Sequence, residues 1–173
     1  MMPSNIVIRP KTVPANFITL TGYEMITGAM VGVMRHVQSI TRGHKDGEFG
    51  GSWEEKRERN EKDTHWGADI EGALAEMAAG KFLKQYWSGS VGTFKDPDVG
   101  ELQVRSTVYV EGHFIIREAD SSEQFYVFVR GEAPTYEIVG WIQGKNAKLD
   151  KFFRPDKKDG DAWWVPADFI TPF

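Results

Sequence analysis

The spacing of apolar residues changes once along this chain, and that change limits the fold more than any other feature. Up to Trp87 they recur every three or four residues, and beyond it nearly every second residue. The first spacing belongs to helices and the second to strands. Helices grouped ahead of strands predict an α+β layout, a sheet flanked by helices, rather than alternating βαβ units.

The helical half opens on Thr21-Gly22-Tyr23-Glu24, a hydroxyl cap with a carboxylate three residues later. Ile26, Met30, Val33, Met34, Val37 and Ile40 then follow at helical spacing, and the pattern stops near Gly43. Before it, Asn5–Arg9 reads as a short strand broken by Pro10 and Pro14. After it, four glycines between Gly43 and Gly51 mark a loop, and Trp53–Asp63 is dense in mixed charge. The pairs Glu55–Arg59 and Glu58–Lys62 suit a solvated helix or an arm with no direct chemistry.

A second helix is predicted from about Trp66 to Trp87. Gly72, Ala75, Ala79 and Leu83 fall on one side of it, where small residues permit close approach to a sheet. Glu76 lies on the flank of that inward face and Glu71 nearer its border. An acid so placed must be ion-paired, protonated or bound to a metal. An inward arginine such as Arg105 is one partner it would accept.

The strand half offers Val91–Phe94, Leu102–Val110, His113–Arg117, Phe125–Arg130 and Thr135–Ile142. Their short gaps predict antiparallel hairpins in a meander. Asn146–Phe153 reads as a short helix, and the tail from Trp163 to Phe173 as an extended segment packing its rings on the body.

With 173 residues, 40% hydrophobic and 27% charged, the chain is expected to fold as one domain. It has no cysteine, which excludes disulfides, thiolate zinc sites and cysteine nucleophiles. No apolar run is long enough to cross a bilayer and the first residues lack a secretory pattern, so a cytoplasmic protein with no membrane partner is expected. The net charge of −4 disfavours a nucleic-acid coat protein but leaves room for a nuclease with a basic groove. The four histidines lack metal-ligand spacing, although His113 is placed to serve as a general base.

The chemistry concentrates in Pro97-Asp98-Val99-Gly100-Glu101-Leu102-Gln103-Val104-Arg105. Gln103 and Arg105 share one face of a strand, because side chains repeat every two residues. Asp98 would fall on the other face of a regular strand, but a bulge at Gly100 would bring it back. Asp98, Gln103 and Arg105 can then converge with Glu76 approaching from the helix.

An acid on a helix, then Pro-Asp, then a polar pair two residues apart on the next strand resembles the PD-(D/E)XK nuclease superfamily. The segments EGALAEMA, YWSGSVGTFK, DVGELQVRST, FYVFVRG, GWIQGKNAK and WWVPADFI are similar to those of small phage and prophage proteins with a DVGxLQVR motif and that core. The similarity covers roughly residues 66–173, leaving 1–65 as an N-terminal helix and charged arm. It implies a restriction-endonuclease-like core and a metal-dependent nuclease, phage-encoded and acting in the host cytoplasm. By this resemblance Glu76, Asp98 and Gln103 hold Mg2+ or Mn2+, and Arg105 takes the position of the usual lysine. Gln103 replaces the usual second acid and offers only a neutral carbonyl. Arg105 orients phosphate or water but cannot serve as a base.

Lys145, Lys148, Lys151, Arg154, Lys157 and Lys158, against Asp150 and Asp156, give residues 145–158 a net +4, which leaves −8 for the rest. Phe152 and Phe153 lie among them. A basic strip with rings can follow a phosphate backbone and stack bases. Lys145, Lys148, Lys151 and Arg154 are therefore the expected nucleic-acid contacts, with DNA preferred over RNA. Two other functions fit the same residues. One is a catalytically silent nuclease-fold protein binding DNA or a host protein; the other is an interaction protein whose aromatic surface makes a homo-oligomer.

Overall fold

The computed structural model describes residues 14–41, 65–92, 96–155 and 161–173. The strand expected at Asn5–Arg9, the glycine-rich loop, the charged arm, Phe94, Lys157 and Lys158 lie outside the described residues.

Strand β1 (Phe17–Thr19) leads into helix α1 (Gly22–Thr41). The expected capping box forms in both directions. The Thr21 N–H donates to the Glu24 carboxylate at 2.6 Å, and the Glu24 N–H donates to Thr21 Oγ1 at 3.3 Å. Two otherwise unpartnered N–H groups of the first turn are satisfied in this way. Helix α2 (His65–Leu83) packs along α1. The approach is close because α1 presents Gly28 and Gly32: a Cβ at Gly32 would stand 2.5 Å from Ile70 Cα.

Five longer strands follow: β2 (Gln103–Thr107), β3 (Phe114–Arg117), β4 (Phe125–Glu132), β5 (Thr135–Gln143) and, after a single helical turn (Gly144–Ala147) and the short β6 (Phe153–Arg154), β7 (Ala162–Val165). They build two sheets, ordered β1-β5-β4-β2 and β3-β7-β6. The first sheet lies between the helices and the second sheet. Leu74, Ala75 and Ala78 of α2 meet Val104, Val127, Val129 and Ile138 on one side of it. Tyr126, Phe128 and Ile142 meet Phe114, Ile116 and Val165 on the other. The fully buried alanines of α2 are what let the helix sit flat on the strands.

The α+β class with mixed sheets and helices is as the sequence predicts, but three elements differ. The strands are not a simple meander. β2 pairs parallel to β4, in register from Gln103 opposite Tyr126 to Thr107 opposite Arg130. Parallel neighbours need a crossover, and residues 108–124 supply it by carrying β3 into the second sheet. Asn146–Phe153 is not one helix: a turn of helix at Gly144–Ala147 is followed by a 3-10 turn at Asp150–Phe152. Finally, the apolar stripe of α1 is not its packed face. Ile26, Met30, Val33, Met34, Val37 and Ile40 are exposed, whereas Gly28, Val31, Gly32 and His36 are buried against α2. The glycines admit closer helix packing than the larger side chains would.

Candidate functional site

Asp98 precedes a tight turn. Val99 and Leu102 exchange both backbone hydrogen bonds, at 3.1 and 2.9 Å, and Gly100 between them has φ +59°, which glycine adopts without strain. The Asp98 N–H also donates to the Leu102 carbonyl, at 2.9 Å. Two successive N–H groups on one carbonyl is the bonding of a β-bulge. It turns Asp98 back toward β2, where Oδ2 accepts the Val104 N–H at 2.7 Å. Because β2 is the last strand of its sheet among the described residues, that N–H has no strand neighbour there, and Asp98 caps this edge.

Glu76, on α2, is buried and held by three donors. Arg35 of α1 makes a two-pronged ion pair with it, Nη1 to Oε1 at 2.6 Å and Nη2 to Oε2 at 2.8 Å. Trp87 Nε1 donates to Oε2 at 3.0 Å. Arg35 spends its remaining Nε on the Ser90 carbonyl, at 2.9 Å. Burial alone would lower the pKa of Arg35, but the hydrogen bonds and charge of Glu76, helped by Asp98 and Asp69, leave it raised. The partner of Glu76 is thus Arg35 and not Arg105.

Arg105 turns elsewhere. Its Nη2 donates to Asp120 Oδ1 at 2.7 Å, and its guanidinium lies 5.4 Å from the centre of the Tyr126 ring. Tyr126 belongs to the cluster between the sheets, whereas Val104 belongs to the cluster under α2. Strand alternation therefore puts Gln103 and Arg105 on the side of β2 away from α2. Gln103 is buried, and its amide donates to the Asp96 carbonyl at 2.9 Å. It makes no hydrogen bond to Glu76 or Asp98.

Asp98, at the edge, senses both sides. Its carboxyl is pushed up from 3.8 to about 6, first by burial and next by the negative charge of Glu76. The Val104 N–H, Arg105 and Arg35 pull it partly back. The structure so brings Glu76, Asp98 and Arg105 into one electrostatic group and leaves Gln103 tied to a loop. Among the described residues no group of three His, Asp or Glu side chains is placed to hold a metal ion.

Glu71 is outside this group. It accepts the Tyr136 hydroxyl at 2.7 Å, and burial together with this carboxylate raises the Tyr136 pKa. The basic strip is partly occupied as well. Lys148 Nζ donates to the Glu118 and Asp120 carbonyls at 2.9 and 2.7 Å. Lys151 Nζ stands 4.2 Å from the centre of the Phe169 ring, and Lys145 is exposed. A cleft of about 390 Å³ opens between His113, Lys151, Arg154, Trp164 and Phe169. Asp120 links the two regions, with its carboxylate on Arg105 and its backbone carbonyl on Lys148.

Sequence reasoning missed Arg35, Trp87 and Asp120. For Arg35 a signal existed: it is the only Arg or Lys of α1, and a charge on an otherwise apolar helix needs a partner. Trp87 and Asp120 had none.

Compared with known proteins, the chain matches no family model, no curated protein sequence and no solved structure. Among the described residues, no helix is long and apolar enough to cross a membrane.

Proposed function

We propose that the chain is a metal-dependent nuclease with a restriction-endonuclease-like core. In this reading α2 and β2 present Glu76 and Asp98 to a nucleic-acid phosphodiester, DNA in preference to RNA. One observation carries it: Asp98, at the edge of β2, has its carboxyl pushed up to about 6, first by burial and next by the negative charge of Glu76. A carboxyl perturbed by burial and by a charged neighbour, with a guanidinium near it, marks a candidate functional site. Magnesium and manganese sites of this kind take one or two protein carboxylates and complete their shell with water and substrate phosphate. Asp98, whose second oxygen accepts no hydrogen bond among the described residues, fits that donor set; Glu76 would join it by giving up Arg35, and Gln103 does not reach it. When bound, the ion would take up phosphate charge and lower the pKa of the attacking water.

The chain's own residues do the rest. Arg105 cannot lose its proton, so its part is to hold a phosphate oxygen, steadied by Asp120. Lys151 and Arg154 line the cleft with Trp164 and Phe169, and together with Lys145 and Lys148 they would meet the phosphates of a bound strand while the rings stack its bases. A phage protein working in the host cytoplasm is the setting that this reading implies.

One observation favours a catalytically silent binder instead. Arg35 already engages both oxygens of Glu76, and Asp120 already engages Arg105. The deciding experiment is cleavage of single- and double-stranded DNA and RNA with magnesium or manganese, for the wild type and Asp98→Asn. Metal-dependent cleavage that disappears in the variant is the expected result. Salt-sensitive binding without cleavage by either protein would establish the silent binder, and absence of both would end both readings.

A further inference from the structure

The exposed face of α1 has a regularity that the candidate site does not use. Tyr23, Ile26, Met30, Val33, Val37 and Ile40 are spaced 3, 4, 3, 4 and 3 residues apart and are 38% to 86% exposed. Met34 widens the stripe and is 48% exposed. This is the spacing of a helix seam that packs against another helix. The opposite side of α1 is already committed to α2 through Gly28 and Gly32. Its two charged residues, Glu24 and Arg35, point to that inner side, held by Lys81 and Glu76. The outer face consequently carries no charge, and the residues beside the seam are Gly22, Thr27, Ala29, Met34 and Thr41.

We infer that this face is the interface for a second copy of the chain, related by a two-fold axis. An uncharged stripe of this kind is self-complementary, because two copies facing each other meet no like charge. The stripe is about 26 Å long at 1.5 Å per residue. Its apolar side chains expose roughly 700 Å², near the ~800 Å² per partner of an interface of standard size. A monomer that left this contiguous apolar patch in water would be unusual. A membrane surface suits it less, since helices that lie on bilayers carry Lys and Arg beside the apolar face. The inference stands apart from the proposed nuclease activity and uses none of its residues.

The test is the mass of the full chain by sedimentation, over a roughly hundredfold range of concentration. The wild type is expected at twice the chain mass, and Met30→Glu at the single mass with unchanged helical circular dichroism. Because the chain has no cysteine, Met30→Cys gives a second readout that does not need the charged variant to fold. Its maleimide labelling should slow as protein concentration rises. Labelling that is fast at every concentration would show a bare face, and labelling that is slow at every concentration would show a face covered by the same chain. Either result, or an oligomer unaffected by Met30→Glu in a folded protein, would overturn the inference.

Discussion

Replacing Asp98 by Asn should make the protein more stable at neutral and alkaline pH. The carboxyl titrates at about 6 in the fold and at 3.8 when unperturbed. The folded state therefore binds the proton more tightly than the unfolded state. Between those two values stability falls as pH rises, because the native chain must give up a proton that it holds better. Each tenfold difference in proton affinity is worth ~1.4 kcal/mol, so the ionised form costs the fold about 3 kcal/mol above pH 7. An Asn at this position keeps an acceptor for the Val104 N–H and carries no charge toward Glu76. It forgoes the extra strength of a charged acceptor, which the raised pKa already includes.

Urea unfolding at a fixed protein concentration, at pH 8, 5 and 4, measures the difference. The variant should be more stable by about 2–3 kcal/mol at pH 8, by about 1–2 at pH 5, and by under ~1 at pH 4. A variant less stable than the wild type at pH 8 would mean that the carboxylate is a net stabilising cap. A difference that does not change with pH would mean that Asp98 does not titrate near 6. Either outcome would remove the electrostatic basis of the site. An acid that the fold carries at a cost is more simply explained by what it does than by what it holds together.

Arg35→Gln should cost roughly 3–5 kcal/mol, since it strands a buried carboxylate without its charge partner; a loss below ~1 kcal/mol in urea unfolding would show that Glu76 is solvated. Gly32→Ala should cost about 1–3 kcal/mol by forcing α1 away from Ile70, read as a lower midpoint with the native helical signal intact. Replacing Lys148, Lys151 and Arg154 together by Ala should flatten the salt dependence of nucleic-acid binding by up to ~0.9 for each phosphate no longer neutralised; an unchanged slope would assign these charges to solvation and to the carbonyls and rings they already touch.

What the sequence disclosed depended on whether the deciding interaction was local. The Thr21–Glu24 box spans three residues and could be read directly. So could the inward placement of Glu76, because helical period alone sets which way a side chain points. The deflection at Gly100 was legible from glycine's freedom to take positive φ. Which face of α1 packs was not legible, because the helix has two apolar faces and periodicity does not say which one a neighbour covers. Small residues decided it: Gly28 and Gly32 reach α2 more closely than Ile26 or Met30 would. Arg35 lies 41 residues from Glu76, and nothing in spacing joins them. The parallel pairing of β2 with β4 was hidden for a similar reason, since a strand that leaves for a second sheet has the same alternation as one that stays.

The charges around β2 bear on when a cation would enter. Glu76, Asp98 and Asp120 contribute three negative charges, and Arg35 and Arg105 two positive ones. With Asp98 ionised the group is left with a single negative charge, and with Asp98 protonated it is neutral. A divalent ion gains little from such a site by itself. A phosphate placed beside Arg105 changes the balance, because it adds negative charge near Asp98, whose second oxygen accepts no hydrogen bond among the described residues. Metal and nucleic acid should then bind cooperatively, with each strengthening the other by the same factor. Protonation of Asp98 should oppose both below pH 6. Manganese titrated with an oligonucleotide present should accordingly bind more tightly than manganese alone, and equal affinities would indicate that the phosphate does not reach Asp98.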